Sequence, residues 1–156
     1  MKTQPIAPDE AKAEALERLS DQGPGHINCA QAVLLFTLLV TGSDLDSVAL
    51  ARQFGGGIAG TGETCGAVTG AAFALGLRDH LAGDAADPAG TRAALQELVR
   101  DFESEFGTLR CRDLTGCDLT TPEGHDAFVK GGGPDRCRSF VDWMCDQILP
   151  LAGPPR

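Results

Sequence analysis

Residues 55–76 constrain this chain more than any other stretch: a glycine-rich loop runs into Cys65, and a segment of mostly small residues follows. Gly55, Gly56, Gly57, Gly60 and Gly62 can adopt backbone angles closed to other residues and let a second backbone or a ligand come close. Glu63 or Thr64 is a suitable helix start, which would set Cys65 in the first turn. Ala67, Gly70, Ala71 and Ala74 recur at i, i+3, i+4 and i+7, so one stripe of the helix has almost no bulk. The spacing predicts a central small-residue helix over about 64–79, closely packed against a neighbour. Gly57, Gly60, Gly62, Gly66 and Gly70 are the positions where a cofactor or substrate could approach the backbone.

The flanking segments read as helices. Residues 9–21 are rich in Ala, Glu and Leu, and Gly23-Pro24-Gly25 ends them. Asn28 is a cap, Cys29 follows it, and the apolar run to Val40 predicts a buried helix. Ser43 is expected to cap a short helix through Leu45, Val48, Leu50 and Ala51. Asp87-Pro88 starts a helix to about Phe106, with Leu95, Leu98, Val99, Phe102 and Phe106 on one stripe. Residues 108–120 read as a loop. Thr121-Pro122 starts a short helix that ends at Gly131–Gly133. Asp135 is expected to start a last one, with Cys137, Phe140, Val141, Met144 and Ile148 facing inward and Trp143 as an anchor. Pro150 is read as its end. No convincing strand alternation occurs, so the expected fold is an all-α bundle of about five to seven helices. The 156 residues suit one domain, with residues 1–8 and 151–156 expected as loose tails.

The net charge of −9 argues against nucleic acid or an anionic membrane surface as partner. The N-terminus lacks an apolar signal core, and Ala30–Val40 is too short to span a bilayer. A cytoplasmic location is expected. Six cysteines are many for this length, and in a reducing compartment they are not expected to be structural staples. They form no CxxC, so a zinc ribbon is not indicated.

Cys29, Cys65 and Cys137 each fall at an expected helix start, where free N–H groups and the helix dipole favour a thiolate. Cys111 and Cys137 are each flanked by arginines, Arg110 and Arg112, Arg136 and Arg138, which would act in the same direction; Glu63 would oppose it at Cys65. Cys145 reads as core filling. Cys117 could pair locally with Cys111 or stay free. The glycine loop lacks the Gly-Lys-Ser/Thr of a phosphate loop. His26, His80 and His125 lack metal-ligand spacing, although His26 lies three residues from Cys29 and could serve as base or ligand.

Asn28-Cys29-Ala30-Gln31-Ala32-Val33, Gly55–Gly57 with Gly62-Glu63, Cys65-Gly66-Ala67-Val68-Thr69-Gly70-Ala71, Cys111-Arg112-Asp113-Leu114 with Gly116, and Cys137 before Phe140-Val141 occur in that order. In this pattern the chain resembles the C-GCAxxG-C-C family of redox-active proteins over about residues 9–148. The resemblance implies a small helical protein whose four family cysteines are Cys29, Cys65, Cys111 and Cys137. Some similar members carry selenocysteine, which points to redox chemistry. The chain departs from the family label in having Thr64 before the second cysteine and Gly66 after it; Cys117 and Cys145 are additional.

Two readings follow, with a third beside them. In the first, a thiol-dependent oxidoreductase exchanges disulfides with a redox partner protein or a small thiol or disulfide. Cys65 is the candidate attacking thiol and Cys29 the preferred resolving partner, with Cys111 and Cys137 as a second pair; four cysteines allow three connectivities, and the pairing is left open. In the second, the same four cysteines hold an iron–sulfur cluster or another soft metal. In the third, the protein is a helical interaction module with core cysteines. A homodimer is left open.

Overall fold

The computed structural model describes residues 2–153, so the expectation of loose ends at residues 1 and 154–156 lies outside the described residues. Seven α-helices are described: α1 (Pro8–Ser20), α2 (Cys29–Thr41), α3 (Gly66–Ala82), α4 (Pro88–Phe106), α5 (Cys111–Thr115), α6 (Pro122–Lys130) and α7 (Gly133–Ala152). Two 3-10 segments, Leu45–Phe54 and Gly83–Ala85, complete the all-α architecture. Among the described residues there is no strand, only isolated antiparallel bridges that include Thr64 with Arg110. Ile6 N–H donates to Leu39 O at 3.1 Å, laying the chain before α1 along the end of α2.

Helix α2 is apolar all round because it is enclosed all round. Every residue from Ala30 to Leu39 is buried, and α1, α3, α7 and the Leu45–Phe54 segment surround it. Each buried Leu, Val or Phe contributes roughly 1.5–3 kcal/mol relative to exposure. The small-residue stripe of α3 lets α3 cross α2 closely: a Cβ at Gly70 would lie 2.6 Å from Ala30 O. Aromatic rings lock α4 to α7. Trp143 stands 5.7 Å from both Phe102 and Phe106 between ring centroids, in edge-to-face geometry, and so anchors α7.

Several boundaries differ from the sequence expectation, each for a local reason. Asp44, not Ser43, caps the third segment by accepting Asp46 N–H, and the segment winds as a 3-10 helix. Cys65 is the N-cap of α3 rather than a first-turn residue. The expected loop at 108–120 contains α5, which begins at Cys111 and closes at the left-handed Gly116. Helix α7 starts at Gly133, with Pro134 in its first turn. Cys137 therefore lies in the second turn, beyond the free N–H groups of the helix start. Pro150 sits inside the last turns of α7 instead of ending it.

Candidate functional site

Cys29, Cys65, Cys111 and Cys137 line one cavity of about 610 Å³. It lies where the ends of α1 and α6 meet the starts of α2, α3, α5 and α7, so segments from across the chain converge on it. Cys65 and Cys111 are buried, while Cys29 and Cys137 are partly exposed. Cys145 is fully buried in the core and does not line the cavity. Cys117 does not line it either; its thiol donates to Thr115 O at 3.4 Å. All six cysteines are free, so the local Cys111–Cys117 disulfide is not formed.

The start of α2 is fixed from three sides. Asn28 Oδ1 accepts from Gln31 N–H at 3.0 Å, and Gln31 Oε1 accepts from Asn28 N–H at 3.2 Å, a reciprocal capping box. Asn28 Nδ2 donates to Arg52 O at 2.7 Å, tying the cap to the 3-10 segment Leu45–Phe54 that follows α2. The Cys29 sulfur then rests over Gly66, where a Cβ would collide with Sγ.

Cys65 and Cys111 are joined by an antiparallel clasp. Cys65 N–H donates to Leu109 O at 2.8 Å, Cys111 N–H to Glu63 O at 2.7 Å, and Arg112 N–H to Gly62 O at 3.0 Å. Above the clasp, Gly56, Gly57, Ile58, Ala59 and Gly60 all have positive φ, forming a short left-handed turn. This conformation costs roughly 1–2 kcal/mol at each of Ile58 and Ala59. Backbone hydrogen bonds from Ala59 N–H to Gln53 O (2.7 Å) and from Glu63 N–H to Gly57 O (2.9 Å) hold it.

Burial dominates the thiols' acidity, contrary to the expectation that helix starts and arginines lower it. Burial pushes Cys111 up to about 11 and Cys137 up to about 12, and raises Cys65 as well. Cys29 is also pushed up by burial, but the backbone N–H groups of Gly56, Ala30, Gly66 and Cys29 itself face its sulfur and favour the thiolate. Cys65 receives such help from Ala67 alone. After burial, Cys29 is the neighbour with the largest influence on Cys65, on Cys111 and on Cys137, and Cys111 also acts directly on Cys65 and Cys137.

The flanking arginines mostly serve the scaffold. Arg112 pairs with Asp118 at 3.2 Å, and Arg110 with Glu63 at 3.6 Å, which also turns the Glu63 charge toward a cation. Arg138 donates to Leu16 O and Ser20 Oγ, pinning α7 to α1. Arg136 donates to Gly131 O and Thr115 O, and its charge lowers Cys137 only after burial has raised it.

Of the five glycines expected to admit a ligand, four are approached by the protein itself. A Cβ at Gly57 would lie 2.7 Å from Cys111 Cβ, one at Gly62 2.9 Å from Arg112 Cβ, and those at Gly66 and Gly70 would meet Cys29 and Ala30. Gly60 has open space around it. The cavity includes His26, which its closeness to Cys29 in sequence singles out, beside Asp21 in the α1–α2 connection. His125, Phe128 and Val129 of α6, which have no distinguishing mark in the sequence, form another wall. Among the described residues, no group of three or more His, Cys, Asp or Glu side chains is arranged to hold a metal ion. No described helix is long and apolar enough to cross a membrane.

Fold and site together define a helical protein that gathers four free thiols from distant segments around one cavity of small-molecule size. Residues 27–149 match the family described as "Putative redox-active protein (C_GCAxxG_C_C)", and the chain belongs to that family. No curated protein and no solved structure matches the chain.

Proposed function

We propose that the protein is a thiol–disulfide oxidoreductase in which Cys29 attacks and Cys65 resolves. The observation that carries this reading is the shared cavity: four thiols far apart in sequence meet there, while Cys117 and Cys145 stay outside. The roles of Cys29 and Cys65 are exchanged relative to the sequence expectation, because four backbone N–H groups face the Cys29 sulfur and one favours the Cys65 thiolate. Such donors stabilise the charge on a thiolate, whether it attacks or is expelled.

In the forward direction the Cys29 thiolate attacks one sulfur of a substrate disulfide. That S–S bond breaks, one half leaves as a thiolate, and a mixed disulfide remains on Cys29. Cys65, having given its proton to solvent or to a departing thiolate, attacks Cys29 Sγ and expels the second half. The substrate gains two electrons, and the protein ends with a Cys29–Cys65 disulfide. Cys111 and Cys137, on the same cavity, are the second pair that could accept the disulfide by the same exchange.

Trapping tests the assignment. Cys65→Ser treated with a small disulfide should accumulate a mixed disulfide on Cys29, seen as a mass increase of half the reagent. The unaltered chain should pass on to an internal disulfide with no mass increase. A stable adduct on Cys65 in Cys29→Ser, with none on Cys29 in Cys65→Ser, would reverse the roles. No internal disulfide under any of these conditions would refute the reading.

A further inference from the structure

Building on the thiol–disulfide reading, the geometry points to a substrate class: small, apolar, neutral or cationic disulfides and thiols, with anionic ones such as glutathione disulfide disfavoured. Size comes first. At about 610 Å³ the cavity falls within the roughly 300–1,000 Å³ of small-molecule pockets. Of the four thiols on it, Cys65 and Cys111 are buried and Cys29 and Cys137 are partly exposed, so a substrate meets Cys29 first.

The lining supplies the rest. The walls are hydrocarbon and aromatic, contributed by Leu19, Leu114, Leu119, Phe128, Val129 and Phe140. The charged and titratable groups that line it, apart from the thiols, are Asp21, Asp135, His26 and His125. Among the described residues no lysine or arginine lines it, although the chain carries 13 of them. Of the four arginines nearest in sequence to Cys111 and Cys137, Arg110, Arg112 and Arg138 are engaged with carboxylates and carbonyls, and Arg136, whose charge favours the Cys137 thiolate, is held by Gly131 O and Thr115 O and does not line the cavity. The two carboxylates bring negative charge to the lining that no lysine or arginine there offsets. A substrate carboxylate entering it would lose hydration and find no guanidinium or ammonium in exchange. An amine or a neutral ring meets no such penalty. The overall charge of −9 acts in the same direction at longer range.

The test uses the full chain with Cys117→Ser, which removes the half-buried thiol outside the cavity. At pH 8, its reaction with cystamine (a dication), a neutral dipyridyl disulfide and glutathione disulfide (an anion) is timed. Each rate is divided by the rate for the same chain unfolded in urea, which cancels the reagents' intrinsic reactivity. The ratio for cystamine and for the dipyridyl reagent should exceed that for glutathione disulfide at least tenfold. Added salt should shrink the cystamine advantage, and Val129→Lys, at a rim position 53% exposed, should raise the glutathione ratio several-fold. Equal ratios for the three reagents, or a glutathione ratio unmoved by Val129→Lys, overturn the proposal. The redox reading is judged separately, by whether the adduct proceeds to an internal disulfide. Charge selectivity without that second step leaves the substrate class standing and removes the dithiol mechanism, whereas the second step without selectivity does the reverse.

Discussion

Two cavities of this molecule have similar size and different chemistry. One holds four thiols and two histidines in about 610 Å³; the other, about 560 Å³, lies between Ile6, Leu38, Ala74, Leu81 and Leu149, with Arg78 at its side. Arg78 is already engaged, donating to Leu151 O and pairing with Asp79 at 2.8 Å. The difference teaches that volume alone assigns no role here. The thiol cavity sits where helix starts and a strained glycine turn converge, whereas the other is bordered by ordinary packed helix surface.

The sharpest way to break this contrast is to remove a thiol from each environment. Cys29→Ser should slow the folded chain's reaction with a neutral small disulfide by about tenfold or more. Cys145→Ser should leave that rate within about twofold, because Cys145 has no access to the cavity, although it should lower the melting temperature. Equal kinetic effects from the two would dissolve the distinction.

Glycines of α3 sharpen it next. Gly70→Ala forces α3 away from Ala30 and should cost about 1–3 kcal/mol in denaturant unfolding. Gly66→Ala should do so too, and also displace the Cys29 sulfur and slow its reaction. Gly76, in the same helix with nothing within 4 Å of its added Cβ, should tolerate alanine and gain about 0.5–1 kcal/mol.

The pH dependence separates the fold's thiols from exposed ones more gently. Cys111, pushed up to about 11, and Cys137 and Cys145, pushed up to about 12, keep their protons in the fold where the unfolded chain would release them. The stability they confer is complete below the unfolded thiol pKa of about 8.5 and is lost as pH rises through 11 and 12. Urea midpoints should therefore fall progressively above pH 9, and less steeply in Cys145→Ala, which lacks one of the titrating thiols. The smallest effect belongs to Arg112→Ala. Its exposed pair with Asp118 should be worth less than about 1 kcal/mol, and thiol reactivity should not change.

Much of the fold was legible because its signals are local. Asn28 before Cys29, Asp87 before Pro88 and Thr121 before Pro122 mark helix starts that occur as expected. The gathering of Cys29, Cys65, Cys111 and Cys137 followed the family pattern rather than periodicity. What was not legible depends on contacts distant in sequence. The clasp from Cys65 to Leu109 shifts the α3 cap, and α5 is too short to show a period. The Arg-Cys-Arg triplets suggested acidic thiols, but the targets of those arginines lie on α1, α5 and the loops, and burial outweighs the helix-start effect. His125 entered the cavity wall with no warning, because which face of α6 turns inward depends on its neighbours.

The most direct measurement is a disulfide map of the folded, full-length chain after exposure to a neutral small disulfide, made by alkylating free thiols and sequencing the peptides by mass. The account predicts a bond between Cys29 and Cys65, or its exchanged form between Cys111 and Cys137, with Cys145 still alkylated once the chain is unfolded. Six free thiols, or a bond that includes Cys145, would contradict it.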